Sequence, residues 1–289
     1  MKKQSTIGVF TIFMVFFLQG CVKMALQLNP SLIPHFTKSL FEECDPELAK
    51  QAIPANLKLM EGLIKNDPDN SQILTTLSMG FTGYSMLFVE ANDPARASDL
   101  YLRARNYGLR ALGEKGLELK KQGKKKEHME NILKAIGKKE LKPFLWAIIS
   151  WNAWINLNLD KPDALSQLSI TQRCIERVME LDAQYLYGLP CILMGISLSA
   201  SPPMFGGKYN KAKAYFETAL KMSDGKFFFA QYYFARYYAV RVQDKKLFLK
   251  LIQDIIDGNP SELKDVCLIN TVMQHRANEL KKITDEFFF

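Results

Sequence analysis

Between Phe205 and Asp257 the chain has room for three amphipathic helices and little else. Ala212, Phe216 and Ala219 place a small, an aromatic and a small side chain at steps of four and three. One helix face therefore offers two points of close approach to a neighbour and a ring to fill the space between them. Ser223-Asp224-Gly225 ends that helix, because Gly225 adopts a left-handed conformation at low cost, and a second apolar pattern starts at once. Such a helix pair cannot bury its apolar face alone. It predicts further pairs stacked against it.

The rest of the chain supplies them. The spacing of Ala212, Phe216 and Ala219 resembles the second helix of a tetratricopeptide repeat, and Gly62-Leu-Ile-Lys-Asn-Asp-Pro68 resembles the close of such a unit. Asp45 is placed to cap a helix with Pro46 at its first position, running to about Lys65, with a kink or break near Ala52 ahead of Pro54. Leu74, Leu77, Phe81, Tyr84 and Phe88 form one apolar stripe, and Ala97, Leu100, Ala104, Tyr107 and Ala111 a second after Asp93-Pro94. Pro143 opens a segment to Leu157 that is apolar on every side and predicts a helix buried from all directions or lining an enclosed apolar space. Pro162 starts the next helix, which closes at Val178 to Ala183, and Tyr187 to Leu198 pairs with it. Asn259-Pro260-Ser261 caps a final charged helix suited to a solvent-facing end. No β pattern interrupts the series. The expected fold is all-α: a tetratricopeptide-like helical repeat array with extra terminal helices.

The first residues follow a different logic. Lys2 and Lys3 precede an apolar run from Ile7 to Leu18, and Leu18-Gln19-Gly20-Cys21 follows. The run is shorter than the ~20 apolar residues a bilayer span needs. Its end resembles a bacterial lipobox, which implies cleavage before Cys21 and lipid attachment, as diacylglyceryl and palmitate, to that residue. The expected layout is a signal peptide over 1–20, a lipid-anchored tether and leading segment over 21–44, and the helical array over 45–289. The location implied is the periplasm, with a membrane contacted through the lipid alone. Loss of Lys2 and Lys3 leaves 36 basic against 30 acidic residues. That mild excess gathers at Lys120, Lys121, Lys124, Lys125 and Lys126, read as a solvated helix end and loop or, alternatively, as a contact for anionic headgroups. No nucleic-acid motif accompanies the lysines. Among Cys44, Cys174, Cys191 and Cys267 the wide spacing resembles no disulfide framework; Cys174 and Cys191 sit on neighbouring helices, as a bridge or as two buried thiols.

Catalytic and metal signatures are absent. His35, His128 and His275 are scattered without an HExxH or CxxC partner, so no metal and no cofactor is expected. Asp67-x-Asp69-x-Ser71 begins like a calcium loop, but Gln72 and Ser78 stand where glycine and glutamate are required. Ser261-Glu-Leu-Lys264 lacks its companion motifs and reads as a helix cap. No enzyme activity is expected. The positive signal is aromatic: Phe227 to Phe229, Tyr232 to Phe234, Tyr237 and Tyr238 exceed what one core-facing stripe requires. Such tyrosines, apolar in body and polar at the tip, can pack a core or line a channel for an amphipathic molecule. If the first helix of each pair lines the inner surface, the channel candidates are Tyr84, Phe88, Trp151, Trp154, Tyr187, Tyr233 and Tyr237.

Several segments together resemble the T component of TRAP (tripartite ATP-independent) transporters. They are Phe81-Thr-Gly-Tyr84 with Phe88-Val-Glu90, Tyr101 to Leu112, Ile149-Ser-Trp151, Gly206-Gly207-Lys-Tyr with Ala212 and Phe216, and Tyr238 to Asp244. The resemblance implies a periplasmic lipoprotein, a homotrimer of tetratricopeptide-like subunits, docking of the solute-binding subunit, and a channel through each subunit for a hydrophobic or amphipathic ligand. It carries over no catalytic residue. The alternative is a generic tetratricopeptide-repeat lipoprotein scaffold for envelope or pilus assembly.

Overall fold

The computed structural model describes residues 31–121, 126–200 and 208–289. The expectations for the signal peptide, Cys21, Lys124, Lys125 and the Gly206-Gly207 loop lie outside these residues. Within them the fold is all-α, with no strand.

Side-chain caps open four of the described helices. After α1 (Leu32–Phe41), the Asp45 carboxylate accepts from the amides of Glu47 and Leu48 at 2.9 and 3.1 Å and opens α2 (Pro46–Leu63). No break occurs near Ala52: α2 runs through Pro54, whose ring is half-buried, while Ile53, Leu57 and Met60 hold the packed face. Asn70 caps α3 (Ser71–Tyr84), which widens into a π-helical turn over Ser85–Val89. Asp93 caps α4 (Pro94–Ala111). The buried face of α4 centres on Ala97, Tyr101, Ala104 and Gly108, one step off the expected stripe, with Leu100, Tyr107 and Ala111 on its half-buried flanks. Gly108 shows why: a Cβ there would lie 2.7 Å from both Ala147 and Ser78, so α3 and α7 (Leu141–Asn156) meet α4 at its position.

Short helices α5 (Glu114–Lys120) and α6 (Lys126–Ala135) precede α7, which is buried around nearly its whole circumference between α3, α4 and α9. The helix expected from Pro162 is divided into α8 (Pro162–Leu165) and α9 (Leu168–Asp182). Buried Gln167 occupies the division, bonding the Asp163 carbonyl and accepting from Trp151 Nε1 at 2.6 Å. The segment Tyr187 to Leu198, expected to pair with the Pro162 helix, touches α9 but packs more extensively on the next helix, so that α10 (Tyr185–Ala200) and α11 (Tyr209–Met222) meet at the small residues. Ala212, Phe216 and Ala219 are fully buried, and Gly195 of α10 lies so close to the Phe216 ring that a Cβ would sit 2.8 Å from it. Asp224 and Gly225, with φ of 50° and 69°, end α11 as expected.

The carboxy-terminal part differs most from expectation. Helix α12 (Phe228–Tyr233) also widens into a π-helical turn, Phe234–Ala239, and Asp244 caps α13 (Lys245–Asp257). Asn259 caps only a short 3-10 turn, and the last helix, α14, begins at Cys267 and ends at Lys282. It is not a solvent-facing cap. Glu279, Lys281 and Lys282 are exposed, while Leu268, Ile269, Val272, Met273, Ala277 and Leu280 are buried against α12 and α13 and in contact with α1 and α2. Arg276 donates to the carbonyls of Met86 and Leu87, and Cys267 is bonded to Cys44 across 223 residues. Cys174 and Cys191 are buried free thiols. The bridge that forms is the one the sequence spacing did not suggest, because the ends of the array close on each other.

Candidate functional site

Helices α3, α7 and α10 each contribute side chains to two openings at opposite ends of the same helix faces. At the first, Thr75 and Met79 of α3, Trp146 of α7 and Leu186 near the start of α10 surround a groove of about 590 Å3. Lys38, Lys139 and Lys142 stand on its rim. About three to four turns further along, Glu90 follows the π turn of α3, Asn156 ends α7 and Ala200 ends α10. They border a second opening of about 690 Å3, completed by Tyr232, Tyr233 and Tyr237. Beneath it lies an apolar throat of about 40 Å3, walled by Ile149, Ala153, Leu193, Ile196 and Phe229. Glu90, Tyr233 and Tyr237 line both the throat and the outer opening.

The π turns build this second site. In each, a backbone amide reaches back five residues, Glu90 to the Ser85 carbonyl at 2.8 Å and Val240 to the Ala235 carbonyl at 3.2 Å. The wider turn at Ser85–Val89 leaves the carbonyls of Met86 and Leu87 available to the Arg276 guanidinium, at 2.6 and 3.2 Å. It also places Glu90 inward, where the Tyr101 hydroxyl donates to one carboxylate oxygen. The other oxygen, Oε1, carries no hydrogen bond, and Glu90 forms no salt bridge among the described residues. Burial raises its pKa above the ordinary carboxylate value, opposed by the Tyr101 hydrogen bond and the charge of Arg276. Burial and the Glu90 charge push Tyr233 well above a normal phenol and Tyr237 up to about 12, so both are neutral hydroxyls at physiological pH. The rings of Tyr233 and Tyr237 stack at 5.5 Å, and Phe229 lies 4.3 Å from Tyr233.

Of the seven aromatic candidates, the structure brings Tyr233 and Tyr237 together at this site. Tyr84 lines a separate apolar pocket of about 60 Å3 between α1, α2 and α3, with Phe88 6.1 Å from its ring. Trp151 and Trp154 face away from the openings into the packing of α4 and α7, with the Arg105 guanidinium 5.3 and 5.9 Å above their rings. Tyr187 lies near the basic groove, donating to Asp265 at 2.7 Å. Glu90, Tyr101 and Arg276 were not among the candidates. A carboxylate closing the apolar run Met86 to Val89 was a signal for the first; nothing in the sequence ties Arg276 to it across 186 positions.

Among the described residues no group of histidines, cysteines and acids could hold a metal ion, and no helix is long and apolar enough to cross a membrane. No curated protein matches the chain. The family model for the TRAP transporter T-component matches residues 42–288, and that span includes every residue of both openings except Phe289 and the part of the first groove, Lys38 included, that α1 contributes. The chain therefore belongs to the TRAP transporter T-component family.

Proposed function

We propose that this accessory component of a TRAP transport system holds and passes a hydrophobic or amphipathic ligand along the inner faces of α3, α7, α10 and α12. It does so while docked to the solute-binding subunit. The observation that carries the reading is the pair of openings at opposite ends of the same helix faces, one basic and one tyrosine-lined over an apolar throat. Concave sites that are mostly apolar, with a few convergent polar groups, are the usual form of small-molecule sites. Membership of the family supports association with the transporter. The Cys44–Cys267 bridge supports an exported protein, since disulfides persist mainly in oxidising compartments. Lipid attachment at Cys21, a periplasmic location, a tetratricopeptide-like arrangement and a homotrimer complete the proposal. No catalytic step is part of it.

The test uses Nile red, a neutral amphipathic dye, as the ligand. Ala153 is half-buried on the throat wall, so Ala153→Trp fills the throat. Dye binding is expected to fall at least tenfold in this variant, while capture of the solute-binding subunit of its transport system and the trimer mass by light scattering are unchanged. Dye binding equal to wild type would overturn the channel reading. A monomer that fails to capture that subunit would overturn the docking reading, leaving the envelope scaffold as the better account. Mass analysis of the mature amino terminus decides the lipid at Cys21.

A further inference from the structure

The ligand class follows from one asymmetry at the tyrosine opening. Its outer wall carries three arginines, but each is engaged or exposed: Arg276 donates to two backbone carbonyls, Arg241 reaches the Ala200 carbonyl at 3.4 Å, and Arg236 stacks 4.8 Å over Phe287. The throat is different. Among the described residues that line it, Glu90 is the one charged side chain. It stands at the boundary with the outer cavity, with Oε1 unbonded and the rings of Tyr233 and Tyr237 beside it.

A molecule with its tail in the throat must put its head at this boundary. An anionic head would face a carboxylate and two electron-rich rings. A neutral head would leave the Glu90 charge unpaired where burial makes that costly. An ammonium head donates to Glu90 Oε1 and places its charge over the tyrosine faces, both favourable contacts. We propose that the tyrosine opening selects amphipathic monocationic amines with a short apolar tail, the head held by Glu90, Tyr233 and Tyr237. This assignment rests on the channel reading and narrows it to a ligand class.

The experiment compares hexylammonium, hexanol and hexanoate by calorimetric titration into the protein near neutral pH, with Nile red displacement as the second readout. Hexylammonium is expected to bind at least tenfold more tightly than either partner and to displace the dye. In Glu90→Gln, which keeps the shape and an acceptor for Tyr101, that preference is expected to vanish: hexylammonium weakens at least tenfold, and hexanol, relieved of the unpaired charge, binds no more weakly than to wild type. If Glu90→Gln does not fold, Tyr237→Leu serves instead: hexylammonium should weaken severalfold and hexanol should not. Equal or tighter binding of hexanoate or hexanol to wild type would overturn the amine assignment and leave the channel standing. Failure of all three compounds and of Nile red to bind would remove both.

Discussion

Trp151 and Trp154 of α7 and Tyr233 and Tyr237 of α12 and its π turn put their rings to opposite uses. On α7, Trp151 and Trp154 are closed into the core, the indole of Trp151 bonded to Gln167 and covered by Arg105. On α12 and its π turn, Tyr233 and Tyr237 stack at the edge of an open cavity beside an unpaired carboxylate. Aromatic density is the same signal in both. What separates them is the chemistry at the ring tip and its neighbours. Trp151 finds a single fixed partner inside the packing, whereas the tyrosine hydroxyls lie where the chain after the π turn contributes Glu90 and where water has room. Ring count alone therefore predicts burial, and a titratable neighbour from another helix predicts a site.

The sharpest way to break this comparison is truncation on the α7 side. Trp151 is 1 % exposed, and Trp151→Ala removes a large side chain and also leaves Gln167 without its donor. A loss of about 3–5 kcal/mol of stability is expected, measured by denaturant unfolding. A loss below about 1 kcal/mol would mean that Trp151 borders open space after all, and the contrast with α12 would fall.

The next effect concerns the closure that holds α12 and α14 against the amino-terminal helices. Cys267→Ser, with Cys44→Ser so that no free thiol remains, is expected to cost about 2–4 kcal/mol. The chain between the bridged residues spans 223 positions, and a loop that long gains much freedom in the unfolded state when released. Reducing agent should lower the melting temperature of wild type and leave that of the double variant unchanged. Identical melting curves with and without reductant would show that the bridge adds nothing to the contacts of α14.

These two effects also mark what could be read from sequence. Most of the helices, the Asp45 and Asp93 starts, and the close approach around Phe216 were legible because each depends on residues within a few positions of one another. The π turns were not, since the Ser85–Val89 and Phe234–Ala239 segments keep a helical apolar pattern and differ only in which carbonyl each amide reaches. The Cys44–Cys267 bridge and the Arg276 contacts were not, because they require the last helix to return to the first ones. Tyr233 and Tyr237 were named on the expectation that the first helix of each pair faces inward, and they lie at the edge of the second opening. Trp151 and Trp154 were proposed on the same reason and are core. The rule names the inner helices but not which side of each faces the openings.

On the α12 side the expected loss is smaller. Tyr237 is half-buried and lines the cavity, so Tyr237→Ala empties a wall rather than a packed core. About 1 kcal/mol is expected, with the Phe229 and Tyr233 packing retained. Near-ultraviolet circular dichroism should keep its native form while Nile red affinity changes. Global unfolding of this variant would place Tyr237 in the same class as Trp151 and erase the distinction between the two helices.

The smallest effect tests the neighbour that gives α12 its different role. Glu90 binds its proton more tightly in the folded protein than in the unfolded chain, because burial outweighs the help of Tyr101 and Arg276. Between the ordinary carboxylate value and this raised one, the native state holds more of the Glu90 proton, so this residue's contribution to stability declines as pH rises through that interval. It is fully present below the unfolded value and lost once the folded carboxyl ionises. Glu90→Gln removes the titration while keeping the size of the side chain. The melting temperature of wild type minus that of Glu90→Gln is therefore expected to increase as pH is lowered from 8 towards 4.5, and to be flat above the folded pKa. Arg276, Tyr101, Tyr232, Tyr233 and Tyr237 are the charged or titratable groups that act with Glu90, and the four tyrosines all have raised pKa values, so none adds a competing transition in this range. A difference that shrinks on acidification would mean that Arg276 holds Glu90 as a stabilised carboxylate. The α12 opening would then present a neutralised pair to its ligand, and its contrast with α7 would rest on the tyrosine hydroxyls alone.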